Sequence, residues 1–314
     1  MTLHKLGSLR HKTRQKVVFI VGTSFCGSTL LGSSLNSENV SFISEADRFF
    51  VFSQHSSEYE LHDCSVCALS DLQSQCPVFG QKRVAAIQQH TDIKNKYLEL
   101  IAPLGDIVVD SSKGSDWSNF LIDGGLGNDV DLFAIIATRN PVAFAFSDNP
   151  VAFAFSDYSS GRQYWKSVIG WRETYNHAIR SLIHRYIPYI VVKYEDLFVP
   201  EKLNGLIRGL SSLVHNDFQI NLANRSIRHA LGGNLGAYIG SAAGDISSWN
   251  KSKTFDSGNE WKMDYPGYKE SKITESKRWV DIGKDQCSDL LDIPGVSDLC
   301  SLFGYSHRDI YGYF

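Results

Sequence analysis

A turn bracketed by glycines follows the first apolar run of the sequence. The run Val17–Val21 leads into the segment Gly22–Thr29, which reads GTSFCGST and precedes a helical pattern. At a helix N-terminus such a turn presents free backbone N–H groups to an anion, and the helix dipole adds to the attraction. The phosphate loop G-x-x-x-x-G-K-[ST] has a lysine where this sequence has Ser28. The turn therefore predicts anion binding and disfavours a P-loop kinase, and a plain β–α turn with helix-capping hydroxyls is the alternative.

The other apolar runs of the sequence also end in polar or charged residues. The run Ile107–Val109 is followed by Asp110-Ser111-Ser112-Lys113. The run Leu132–Thr138 is followed by Arg139-Asn140-Pro141, and the run Tyr189–Val192 is followed by Lys193-Tyr194-Glu195-Asp196. Helical patterns separate the runs, which predicts an α/β fold with a parallel sheet flanked by helices on both faces. Ligands of such sheets bind beyond the carboxyl ends of the strands. We therefore expect the anion site at that edge.

The composition is that of an ordinary globular protein. The chain has 314 residues, 43% of them hydrophobic, and its 31 basic and 34 acidic residues give a net charge of -3. This balance offers no bulk electrostatic case for binding nucleic acid or an anionic membrane. The apolar runs are too short for a membrane span, and we expect no signal peptide. Because six cysteines in this length do not form a disulfide scaffold, we expect a cytoplasmic protein.

No linker divides the chain cleanly, and we predict a single domain over residues 1–314. Residues 53–80 are polar and rich in cysteine, and we expect them to form an insertion. Residues 232–280, with many Gly, Ser and Asn, are expected to form a loop or lid region. We predict no metal site: Cys64, Cys67 and Cys76 are expected to be reduced structural thiols, with zinc and a disulfide as the alternatives.

The turn and the strand ends together resemble the sulfotransferase superfamily that uses 3′-phosphoadenosine 5′-phosphosulfate (PAPS). Members carry a turn G-x-x-[RK]-S-G-[ST]-T for the 5′-phosphosulfate, and Gly22–Thr29 resembles it. Phe25 stands where the family has a basic residue, and Cys26 stands where it has a serine. The resemblance implies that the nucleotide contacts the turn, namely Ser24, Phe25, Cys26, Gly27, Ser28 and Thr29. It also implies the P-loop-like fold of these sulfotransferases.

Further motifs of the family occur in the same order along this chain. The family holds the 3′-phosphate with an arginine at a strand end and a serine downstream, and Arg139 and Ser147 have that spacing. The segment Asp110–Lys113 looks like the D-S-S-K of bacterial members, Tyr194 begins a Y-E-D-L motif, and Asn234 belongs to a G-N motif. The resemblance implies nucleotide contacts from Arg139, Ser147, Tyr194 and Asn234. The alternatives are a surface ion pair for Arg139 and a place in the core for Tyr194.

The departure at Phe25 bears on the chemistry that the resemblance implies. Sulfuryl transfer builds negative charge on the bridging oxygen, and a nearby cation lowers the barrier. Lys113 is the best substitute, since tyrosylprotein sulfotransferases place a lysine in a similar segment. Glu45 resembles the glutamate base of those enzymes, so we expect it to take the acceptor's proton. The alternative for Lys113 is an ordinary solvated lysine. The alternative for Glu45 is a carboxylate in the first turn of a helix, where it favours the helix dipole.

These observations predict a sulfotransferase that moves the sulfuryl group from PAPS to a hydroxyl or amine by in-line displacement. The expected acceptor is a small molecule, a glycan or a peptide, and no metal is expected to take part. One alternative is a protein that binds PAPS or adenosine 3′,5′-bisphosphate without turnover, and a P-loop kinase is a less favoured one.

The sequence NPVAFAFSD occurs twice in tandem, at residues 140–148 and 149–157. Each copy begins with Asn-Pro, which predicts a helix N-cap followed by the first helical residue. Because only the first copy follows an arginine, we expect it to carry the phosphate site and the second copy to be extra length.

Overall fold

The computed structural model describes residues 14–23, 26–35, 39–47, 50, 76, 78–113, 115–145, 163–215, 218, 290–306 and 309–310. These residues form one sheet of five strands: β1 (Lys16–Val21), β2 (Val40–Ile43), β3 (Ile107–Lys113), β4 (Asp131–Thr138) and β5 (Tyr189–Lys193). All neighbouring strands are parallel, in the order β2-β3-β1-β4-β5. The predicted α/β fold with a parallel sheet is confirmed.

Helices alternate with the strands, as the sequence pattern predicts. Those that the structure describes are α1 (Ser28–Leu35), α2 (Gln81–Gln88), α3 (Ile93–Ile101), α4 (Ser115–Asp123), α5 (Pro141–Ala145), α6 (Gln163–His184), α7 (Pro200–Val214) and α8 (Val296–Leu302). Short 3₁₀ turns follow α4, at Leu126–Asn128, and β5, at Tyr194–Phe198. Every strand thus connects to the next through helical segments, as parallel pairing requires.

Both faces of the sheet are buried, which explains why its strands read as continuous apolar runs. On β1, Val17 and Phe19 belong to a core shared with α2, α3, α4, α6 and α8. Val18 and Ile20 face the opposite side and pack with α1 and α7. The sheet is therefore the middle layer of three.

The strand order indicates where a ligand of this sheet is expected. From β1 the chain passes to β2, toward one edge of the sheet, whereas from β4 it passes to β5, toward the opposite edge. Ligands of open parallel sheets bind where neighbouring connections diverge in this way, beyond the carboxyl ends of the strands. That place lies at the ends of β1 and β4, beside Gly22 and Arg139.

The strand β3 extends beyond its apolar run Ile107–Val109. The strand continues through Lys113, and its pairing with β1 shifts so that Asp110 lies opposite Phe19 and Lys113 lies opposite Val21. Two residues of β3 therefore stand opposite Ile20, which is a β-bulge. Asp110 can remain in the sheet because buried hydrogen-bond donors surround its carboxylate, as described below.

The predicted insertion at residues 53–80 lies mostly, and the predicted loop or lid region at residues 232–280 wholly, outside the described residues. In the insertion, Cys76 is buried, and the Phe79 N–H donates to its Sγ at 3.2 Å. Cys64 and Cys67 lie outside the described part of the chain. Within that part, no cluster of His, Cys, Asp and Glu could hold a metal ion, and no helix is long and apolar enough to cross a membrane.

Candidate functional site

The turn between β1 and α1 contains a glycine in the left-handed conformation. Gly27 has φ 86°, and its carbonyl accepts the Leu31 N–H at 2.9 Å as α1 begins. Before it, the Cys26 N–H donates to the Thr23 carbonyl at 3.3 Å. Ser28 opens the helix with a buried side chain. The structure thus places the turn at a helix N-terminus, at the carboxyl edge of the sheet.

A tyrosine from α6 fastens this turn to β4. The Tyr175 hydroxyl donates to the Ala137 carbonyl at 2.7 Å, and its oxygen accepts the Thr23 N–H at 3.4 Å. Burial raises the pKa of Tyr175, so its hydroxyl remains a neutral donor. Gly22 permits this close approach, because a Cβ there would lie 2.3 Å from the Ala137 oxygen.

Tyr194 lies between the turn and Arg139. A Cβ added at Gly27 would fall 2.3 Å from Cδ2 of the Tyr194 ring, so the ring packs directly on the Gly27 backbone. The Arg139 guanidinium carbon is 5.2 Å from the centroid of the same ring, a distance typical of a cation–π contact. The structure therefore brings Gly27, Tyr194 and Arg139 together.

Arg139 is only partly engaged by its neighbours. Its Nε is buried, and among the described residues it has no hydrogen-bond partner. The alternative of a surface ion pair is not observed in this part of the chain, where no carboxylate lies within 4.0 Å of the guanidinium. The guanidinium consequently retains capacity to bind an anion.

The backbone around Arg139 is held from both sides. The Trp171 Nε1 donates to the Arg139 carbonyl at 3.0 Å, and the Asn140 N–H donates to Glu195 Oε1 at 3.0 Å. The Asn140 side chain accepts two backbone N–H groups at the start of α5, at 2.9 and 3.2 Å. Asn140 is therefore the N-cap and Pro141 the first helical residue, as predicted.

The C-terminal part of the chain supports the same turn. Tyr305 donates to Glu195 Oε2 at 3.1 Å, and the Asn140 amide donates to the Asp309 carbonyl at 2.8 Å. Burial raises the pKa of Glu195, while the Asn140 N–H and the charge of Arg139 oppose the shift. Sequence reasoning missed this support, because no local pattern links Tyr305 to the end of β4.

A second group of polar residues lies where β2 and β3 end. Glu45 has φ 52° and is 7% exposed, and the helical residues Ala46 and Asp47 follow it. The Ser111 hydroxyl donates to Ser44 Oγ at 3.3 Å, and the Asp47 N–H donates to Ser112 Oγ at 3.3 Å. Glu45 therefore lies before the helical turn, and hydrogen bonds from β3 fix the residues on either side of it.

Asp110 lies fully buried beneath this group of polar residues. Its Oδ1 accepts the Ser112 N–H at 2.8 Å and the Ser112 hydroxyl at 2.5 Å. Its Oδ2 accepts the Tyr97 hydroxyl at 2.9 Å and the Trp117 Nε1 at 3.3 Å. Burial raises the pKa of Asp110, and these hydrogen bonds oppose the shift.

The remaining predicted site residues are only partly described. Lys113 ends β3 beside Val21, at the same edge as the other strand ends. The Cys26 side chain is buried in the core, close to Gly22. Thr29 lies in the first turn of α1 with its side chain buried. The predicted residues outside the described part of the chain are Ser24, Phe25, Ser147 and Asn234.

Comparison with known proteins finds similarity to solved structures. No protein-family model matches the chain, and no curated protein matches it. The sulfotransferase domain of the Synechococcus PCC 7002 olefin synthase is 20% identical, with a TM-score of 0.44, over 72% of this chain and 80% of that chain. A sulfotransferase from Alicyclobacillus acidocaldarius is 14% identical, with a TM-score of 0.37, over 66% of this chain and 84% of that chain. Since both TM-scores are below 0.5, we base the functional proposal on the residues of this chain.

Proposed function

We propose that this chain is a sulfotransferase that moves the sulfuryl group of PAPS to a hydroxyl or amine acceptor. The observation that carries the proposal is the contact of Arg139 with the Tyr194 ring, which itself packs on Gly27. A cation with free donor capacity thus stands beside a glycine turn at a helix N-terminus. Both are groups that bind phosphate.

The distribution of these donors favours a ligand with more than one anionic group. The β1–α1 turn offers backbone N–H groups at the end of β1, and Arg139 offers a guanidinium at the end of β4. A guanidinium suits a terminal phosphate, because it can donate two parallel hydrogen bonds. The motifs that resemble the PAPS-dependent family assign the turn to the 5′-phosphosulfate and Arg139 to the 3′-phosphate. Ser28 in the place of the P-loop lysine makes a kinase the weaker proposal.

In the proposed reaction the chain supplies a base and a cation. Glu45 takes the proton of the acceptor as the acceptor oxygen or nitrogen bonds to sulfur. Lys113 offers positive charge to the bridging oxygen, which keeps the electron pair of the sulfur–oxygen bond that breaks. Arg139 and the turn retain the bisphosphate throughout.

Calorimetric titration with adenosine 3′,5′-bisphosphate tests the binding half of the proposal. We expect Arg139→Ala to weaken binding by about 2 kcal/mol, roughly a 30-fold rise in Kd, because a charge-assisted contact is lost. The affinity for adenosine 5′-phosphosulfate, which lacks the 3′-phosphate, should fall much less in the same variant. Arg185→Ala is the matched control, since Arg185 pairs with Asp123 just past the end of α6. Equal losses for both ligands would remove Arg139 from this role.

Transfer of labelled sulfate from PAPS to a library of hydroxyl and amine acceptors tests the chemical half. Transfer to any acceptor supports the sulfotransferase. Tight bisphosphate binding without transfer would favour the binding protein without turnover, for which the observation is Phe25 in place of the basic residue. Phosphoryl transfer from ATP would favour the kinase.

A further inference from the structure

The turn that carries Glu45 holds an unfavourable backbone conformation. Glu45 has φ 52°, in the left-handed region that side chains with a Cβ rarely adopt. Such a conformation persists only where the surrounding structure fixes it. Here the fixing contacts come from β3: Ser111 bonds to Ser44 before Glu45, and Ser112 bonds to Asp47 after it.

Both contacts come from the carboxyl end of β3, where β3 pairs with β2 up to Asp110 opposite Ile43. Ser111 and Ser112 are the next two residues of β3, and the turn that carries Glu45 follows β2 directly. Both hydroxyls contact residues that flank Glu45.

Asp110 fixes the direction of the second contact. The Ser112 hydroxyl has one hydrogen, which it donates to Asp110 Oδ1 at 2.5 Å. Its lone pairs are then the only groups left to meet the Asp47 N–H. Asp110 is itself immobilised by Tyr97 and Trp117, so the orientation is set by α3 and α4.

We propose that Asp110 and Ser112 are positioning residues, which hold the Glu45 turn in the geometry for abstracting the acceptor's proton. The proposal rests on the proposed function, because it takes Glu45 as the base. Asp110 has no exposed surface and acts only through Ser112. A base held in one orientation abstracts the proton faster than a base that samples several orientations, because more of the bound complexes have the reactive geometry.

The first test compares two buried serines that differ in this contact. Ser112→Ala removes the acceptor for the Asp47 N–H, whereas Ser118→Ala removes only a bond to the Ser115 carbonyl within α4. We expect Ser112→Ala to lower kcat about tenfold. The Kd for the bisphosphate and the KM for the acceptor should stay within about twofold, and Ser118→Ala should change neither rate nor binding. Equal kcat in the two variants would overturn the proposal.

A double-mutant cycle separates positioning from general loss of structure. If Ser112 acts through Glu45, then adding Ser112→Ala to Glu45→Gln should lower kcat by less than twofold, although each change alone lowers it strongly. Fully multiplicative effects would overturn the proposal. Asp110→Asn should give the same kcat as Ser112→Ala with a lower Tm, because its amide cannot accept all the donors around it. Where Asp110→Asn does not fold, the Ser112→Ala cycle decides.

Hydrogen exchange distinguishes failure of this proposal from failure of the proposed function. If the protein transfers no sulfuryl group to any acceptor, the proposed function fails. The exchange of the Asp47 amide still reports on its hydrogen bond to Ser112. Its exchange should be slow in the wild type and clearly faster in Ser112→Ala, with Ser118→Ala unchanged. An Asp47 amide that exchanges at the same rate in all three proteins would overturn the positioning role.

Discussion

Replacing Gly27 with alanine tests the contact on which the proposed anion site depends. Gly27 has φ 86°, and the added Cβ would lie 2.3 Å from Cδ2 and 2.9 Å from Cε2 of Tyr194. Carbon atoms pack at about 3.5–4 Å, so the ring must move by roughly 1 Å or more. Because Arg139 stacks on this ring, the guanidinium must move with it.

The expected loss of stability follows from the left-handed backbone conformation and from the steric overlap with the Tyr194 ring. A left-handed conformation costs alanine about 1–2 kcal/mol, and the overpacking against the ring adds about 1–3 kcal/mol. The smaller entropy of the unfolded alanine chain offsets about 0.4–1 kcal/mol. The net loss is therefore about 2–4 kcal/mol in the free energy of unfolding, or roughly 3–6 °C in Tm for a chain of this size.

Thermal unfolding followed by circular dichroism and titration with adenosine 3′,5′-bisphosphate measure the two effects of Gly27→Ala. We expect the lower Tm together with at least a tenfold rise in Kd, of the order of one lost charge-assisted contact. Gly209→Ala on α7 is the matched control, because an added Cβ there meets nothing within 4 Å. That change should stabilise the helix by up to about 1 kcal/mol without altering Kd. A Gly27→Ala protein with wild-type Tm and Kd would refute the contact.

Three further changes probe the chain around Arg139. Asn140→Ala removes the N-cap of α5 and the bond to the Asp309 carbonyl, and denaturant titration should show a loss of about 1–3 kcal/mol. The raised pKa of Glu195 lets the folded state keep this proton above the ordinary value of 4.5, so wild-type stability relative to Glu195→Gln should fall as pH rises from 4.5 through the raised pKa. A difference that rose with pH would contradict it. Deleting residues 149–157 should preserve Tm and bisphosphate binding, and lost binding would assign the phosphate contact to the second copy.

The fold was predictable from sequence because both faces of the sheet are buried. Two-sided burial makes β1 and β4 continuous apolar runs, and their ends are found within a residue or so of the prediction. The end of β3 was not predictable, because Asp110 is a residue that strands usually exclude. Its carboxylate is tolerated through Tyr97 and Trp117, which belong to separate helices and give no local signal.

The candidate site divides in the same way. The position of Arg139, Tyr194 and the glycine turn at one edge could be predicted, because parallel strands bring their carboxyl ends to the same edge of the sheet. The residues that hold them could not, since their partners are distant in sequence: Tyr175 reaches Thr23 across 152 positions. The sequence around Tyr175 is typical of a buried helix face, but such a pattern does not reveal where a buried hydroxyl finds its hydrogen bond.

The order of the strands places Arg139 and Glu45 far apart along the carboxyl edge of the sheet. Arg139 follows β4 and Glu45 follows β2, and with β1 and β3 between them these two strands are about 14 Å apart. A single small anion cannot contact both ends of such an edge, whereas an extended nucleotide with a transferable group at one end can. In the proposed reaction, groups at the β4 end hold the ligand before and after transfer, so their loss is expected to raise Kd. Groups at the β2 end act only while bonds change, so their loss is expected to lower kcat.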